Sequence, residues 1–184
     1  MKKKPAGRRP TPGKAEATAG TQSVAQSVAA RRTAEAQVRA LIARLAPQHV
    51  LLISAMRRSL RKRLPTAHEV VYEYRDWFVI SFSPSERGYE GVLAIRGSAS
   101  GIKLFFNRGK ELPDPENLLQ GSGSAQARFI GIEAASTLAR PAIARLIDQS
   151  IARNRVPFAP TGRGSVVIRA TTAKNKQSRP RRPA

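Results

Sequence analysis

The sequence predicts an α+β protein, with helices at both ends of the apolar region and an antiparallel sheet of about five strands between them. Three observations carry this. Apolar residues recur at helical spacing over 34–64, the period changes to two after Pro65, and helical spacing returns after Pro141.

Each element follows from its local pattern. Thr33 stands where an N-cap belongs, before Ala34-Glu35-Ala36. Val38, Leu41, Ile42 and Leu45 then form one apolar stripe. Pro47 opens a second helix whose buried face is Val50, Ile53, Met56, Leu60 and Leu64, with Arg57, Arg58, Arg61 and Lys62 on the opposite face. Pro65 stops it. Glu69–Tyr74, Trp77–Ser83, Val92–Arg96 and Ile102–Asn107 alternate as strands, and their short connections favour an antiparallel meander. Leu112-Pro-Asp-Pro-Glu-Asn-Leu-Leu predicts a turn into one short helix, Gly121-Ser-Gly-Ser a loop, and Ala127–Glu133 a fifth strand. Pro141 begins the last helix, with Ile143, Leu146, Ile147, Ser150 and Ile151 on its buried face. Residues 165–169 are a possible sixth strand, either paired with a sheet edge or simply extended.

The chain has 184 residues, room for one core, and it carries 33 Lys/Arg against 12 Asp/Glu, a formal charge of +21. The ends hold most of the excess: +7 over residues 1–33 and +9 over 153–184. Residues 1–32 and 170–184 have few large apolar side chains, too few to offset an ordering entropy of roughly 1–2 kcal/mol per residue. They are expected to be disordered basic tails around one domain at 33–169. The charged start, MKKKPAGRRPTPGK, is not followed by an apolar stretch, and no apolar run approaches membrane-spanning length. A cytoplasmic location without membrane contact is expected.

No catalytic residue is nominated. There is no cysteine, which removes disulfides, thiolate metal sites and a cysteine nucleophile. The two histidines, His49 and His68, stand outside any HExxH spacing, and no GxSxG elbow occurs. No cofactor or metal site is expected. Three segments are candidates for binding. Gly121, Ser122 and Gly123 with Arg128 have the residue types that converge N–H groups and a guanidinium on an anion, and the same types make an ordinary turn. Tyr72, Tyr74 and Trp77 stand among the strands, with Tyr72 and Tyr74 on the face opposite Glu73. Such rings most often form core beneath helices, and otherwise stack bases or line a ligand cleft. Third are the cations. Lys2, Lys3, Lys4, Arg8 and Arg9 begin the chain, Lys174, Lys176, Arg179, Arg181 and Arg182 end it, and Arg57, Arg58, Arg61 and Lys62 extend the charge onto the domain. Flexible Lys/Arg segments neutralise phosphates without reading sequence. They also solubilise, and cations at a helix end answer its dipole.

Several stretches taken in order resemble the YdhG-like family, a domain family of unknown function. They are Glu69-Val-Val-Tyr-Glu, Ile102-Lys-Leu-Phe-Phe-Asn-Arg-Gly, Leu112-Pro-Asp-Pro, Leu118-Leu-Gln-Gly-Ser-Gly and Arg128-Phe-Ile. Arg140-Pro-Ala-Ile-Ala-Arg-Leu-Ile and Gly162-Arg-Gly-Ser-Val-Val-Ile-Arg extend the likeness over about residues 35–170. The resemblance implies a small α+β fold with an antiparallel sheet and flanking helices. One branch of that family is linked to intracellular iron handling in a frataxin-like role. Tyr74-Arg-Asp-Trp departs from that branch's Tyr-Gly-x-Pro motif. The expectation is therefore a non-catalytic binding module with nonspecific affinity for nucleic acid or other polyanions. An iron- or small-ligand-binding domain is the alternative.

Overall fold

The computed structural model describes residues 15–170, with side chains over 28–169. In chain order, helices α1 (Ala15–Ile42) and α2 (Pro47–Arg63) precede strands β1 (His68–Glu73), β2 (Trp77–Ser83), β3 (Leu93–Ser98), β4 (Gly101–Phe106) and β5 (Arg128–Ile132). Helix α3 (Pro141–Ala152) and strand β6 (Val166–Ala170) follow. The sheet order is β5-β4-β3-β2-β1-β6. Strands β1 to β5 each pair antiparallel with their sequence neighbours, β4 reaching β5 through the long 107–127 connection. Strand β6 runs parallel to β1, Val70 opposite Val167, so the sheet is mixed. A parallel pairing needs a long crossover, and α3 supplies it.

Alternation divides the sheet into two unlike faces. Val71, Phe78, Ile80, Phe82, Leu93, Ile95, Leu104, Phe106 and Ile130 point to the helices. They form one apolar cluster with Val38 and Ile42 of α1, Ile53, Met56 and Leu60 of α2, and Ile143 and Ile147 of α3. Among the described residues the opposite face carries no α-helix. The connection between β2 and β3, with its short 3-10 turn at Gly88–Glu90, crosses it, and a Cβ at Gly88 would run into the Tyr72 phenol and one at Gly91 into the Ser81 hydroxyl.

Three expectations are corrected. Thr33 is not an N-cap: α1 begins at Ala15, and the Thr33 hydroxyl donates to Ala29 O at 3.0 Å inside the helix. Residues 112–119 form no helix. Asp114 instead accepts the N–H groups of Leu118 (3.0 Å) and Leu119 (2.7 Å), and Asn117 turns left-handed at φ 51°, so the cap closes a turn that does not propagate. Tyr72, Tyr74 and Trp77 are not core beneath the helices. Phe78 and Phe82 take that role, one residue out of phase with Trp77. Among the described residues no helix is long and apolar enough to cross a membrane.

Candidate functional site

The face away from the helices combines aromatic rings with cations. Tyr74 and Trp77 flank the β1–β2 turn and stack, with ring centroids 3.7 Å apart and planes at 14°. The Arg96 guanidinium carbon lies 4.4 Å from the Trp77 centroid, and Lys103 Nζ lies 4.1 Å from that of Phe129. Phe105 tilts against Phe129 at 5.2 Å. Tyr74 is exposed, while Tyr72, Trp77, Arg96, Lys103, Phe105 and Phe129 are half-buried.

Register brings the two cations together. Arg96 of β3 is directly opposite Lys103 of β4, and Arg169 of β6 neighbours Tyr72 on the same face. Like charges directly opposite across a sheet disfavour folding. Ring contacts of the cation–π kind return about 0.5–1 kcal/mol each at exposed sites, but they do not neutralise charge. Neither Arg96 nor Lys103 has a carboxylate partner among the described residues, and Arg96 Nε is shielded from solvent without a hydrogen-bond acceptor. Sequence reasoning nominated Tyr72, Tyr74 and Trp77 here and missed Arg96, Lys103 and Arg169. The signal was available, since Ala94, Arg96 and Ser98 share the parity that excludes Leu93 and Ile95.

The cations of α2 split. Arg58 and Lys62 are exposed as expected. Arg57 is not on the solvent face: its side chain is 6% exposed, beside Met56 and Leu60, and it is withdrawn from any nucleic-acid surface. The cause is Glu69, which alternation turns toward the helices. Arg57 Nε and Nη2 reach Glu69 Oε2 at 2.9 and 2.7 Å, and Nη1 reaches Glu35 of α1 at 3.1 Å. Arg61 bonds the other oxygen of Glu69 and also Glu35 at 3.0 Å. Burial alone would raise the Glu35 carboxyl; the hydrogen bonds from Arg57 and Arg61, aided by their charges, outweigh it and hold it below its ordinary range. Burial would likewise lower Arg61, and its bonds to Glu69 and Glu35 raise it instead. Glu73 also faces the helices, paired with Arg44.

The 121–128 loop has the conformation of a turn. Gly121 and Gly123 take positive φ, 114° and 76°, and lie exposed beside Ser122. Arg128 Nη1 donates to Ala125 O (2.6 Å) and Ala127 O (2.9 Å), so that nitrogen stitches its own loop. His68 Nδ1 lies 2.8 Å from Ser165 Oγ, whose hydroxyl also donates to Glu86 at 3.0 Å. The carboxylate thus meets the serine, not the far imidazole nitrogen, unlike a nucleophilic triad. Among the described residues no three His, Asp or Glu side chains come together to hold a metal. The terminal cations Lys2, Lys3, Lys4, Arg8, Arg9, Lys174, Lys176, Arg179, Arg181 and Arg182 lie outside the described residues, as do positions 1–14 and 171–184 of the expected tails, whereas 15–32 belong to α1.

Comparison with protein-family models, curated proteins and solved structures finds no match. The functional reading therefore rests on the chemistry of the site. Its densest part is the ring-and-cation face of the sheet, which offers aromatic rings and two cations, without a carboxylate partner among the described residues, about one strand spacing apart.

Proposed function

We propose that this chain is a binding module for single-stranded nucleic acid, with the sheet face turned away from the α-helices as its interface and no sequence preference. The uncompensated Arg96–Lys103 pair carries the reading. A sheet that sets two cations opposite each other with no acid between them is relieved when a phosphate arrives. The neighbouring Tyr74 ring offers a plane to a base, and base–aromatic stacking contributes about 1–3 kcal/mol per base. Single strands suit a flat face, where bases are free to splay, better than a duplex whose grooves take protruding elements. The formal +21 of the whole chain adds long-range attraction that is independent of sequence.

The test is fluorescence anisotropy of a labelled single-stranded oligonucleotide with the full chain at several salt concentrations. Arg96→Gln/Lys103→Gln should bind roughly tenfold or more weakly and show a log–log salt slope shallower by about 1–2. Unchanged affinity and slope would move binding off this face.

A further inference from the structure

A recess lies on the helix side of the sheet, between α1, the end of α2 and the segment leading into β6. Its volume is about 730 Å³, within the range of small-molecule pockets. The wall is apolar where Leu64, Ala67 and Val166 line it, and Arg31, Arg32 and Arg163 stand at its rim.

The charges of this recess do not cancel. Its two carboxylates, Glu35 and Glu69, are already engaged by Arg57 and Arg61. Arg31, Arg32 and Arg163 are exposed and have no hydrogen-bond or ion-pair partner among the described residues. Three arginines without a partner among the described residues therefore line one recess. Arg163 is held there by its neighbours. Gly162 turns at φ 102°, and Gly164 presses so closely on the Ala67 backbone that a Cβ would collide with it.

We propose that this recess binds a small organic phosphate. The phosphate sits among Arg31, Arg32 and Arg163, and an apolar body lies against Leu64, Ala67 and Val166. Guanidinium forks match phosphate oxygens bidentately, and the apolar wall favours an ester over the free anion. The site is separate from the sheet face described above, since its arginines come from α1 and the 162–164 turn.

Calorimetric titration of the full chain with phenyl phosphate, and separately with inorganic phosphate, tests this. Saturable one-to-one binding of phenyl phosphate is expected, tighter than that of inorganic phosphate. Arg163→Ala and Arg32→Ala, both at exposed positions, should each weaken it about tenfold, as loss of a charge-assisted hydrogen bond predicts. Arg96→Gln on the sheet face should leave it unchanged. Three results would each overturn the proposal: no saturable heat, equal affinity for the two phosphates, or weakening by Arg96→Gln as large as by Arg163→Ala.

Discussion

Arg57 Nη2 lies 2.7 Å from Glu69 Oε2, with the two side chains only 6% and 3% exposed. The pair ties the middle of α2 to the start of β1, and Glu35 brings α1 into the same cluster. Two arginines and two glutamates balance one another at the edge of the apolar core.

A buried pair of this kind is costly to break and cheap to replace. Arg57→Ala should lose roughly 3 kcal/mol, because Glu69 and Glu35 lose their buried partner and keep only the more exposed Arg61. The double variant Arg57→Met/Glu69→Met should lose clearly less than that single change. Urea unfolding of the parent, the single and the double variant measures both.

Acid should loosen the same cluster. The folded-state pKa of Glu35 lies below its ordinary 4.5, so its contribution is fully present above that value. It is lost as pH falls through the lower folded value. The urea midpoint should therefore drop between about pH 5 and pH 3, and Glu35→Gln should flatten that part of the profile. A midpoint of the parent that stays level over this interval would contradict the depressed value.

Gly164→Val tests the seat of β6. The side chain has no room against the Ala67 backbone, so the substitution should cost about 1–3 kcal/mol through overpacking. Hydrogen exchange should accelerate first at Glu69, whose N–H donates to Ser165 O at 2.9 Å. Uniform exchange rates across the sheet would show that the edge strand is not the element displaced.

Arg128→Ala separates a turn from an anion site. Its Nη1 is occupied by two carbonyls of its own loop, so the variant should retain oligonucleotide and phosphate binding within about twofold, with a modest stability loss near 1 kcal/mol. Anisotropy and calorimetry with the parent as reference check this.

The strands and the later helices were legible because their signals are local. Period-two alternation between Pro65 and Asn107 needs no partner to be read, and Pro47 and Pro141 mark true first helical residues. What escaped depends on which face a residue joins. Arg57 lies beside Met56 and three residues before Leu60, inside the apolar stripe, and its charge masked that position. Glu69 shares parity with Val71, which already turned it inward; the pairing itself spans twelve residues and needs the fold to be seen. Tyr72, Tyr74 and Trp77 were assigned to one region correctly, but which sheet face the helices cover is not written in alternation. The recess rimmed by Arg31, Arg32 and Arg163 joins positions more than a hundred residues apart, beyond any spacing rule.

Trp77 is the chain's only tryptophan, and it lies between Tyr74 and Arg96 at the centre of the proposed interface. Its emission during titration with an unlabelled single strand of about twelve nucleotides tests that interface most directly. Quenching or a spectral shift that saturates with binding, and fades as salt rises, is expected. An oligonucleotide retained at low salt while Trp77 emission stays unaltered would place the nucleic acid elsewhere on the protein.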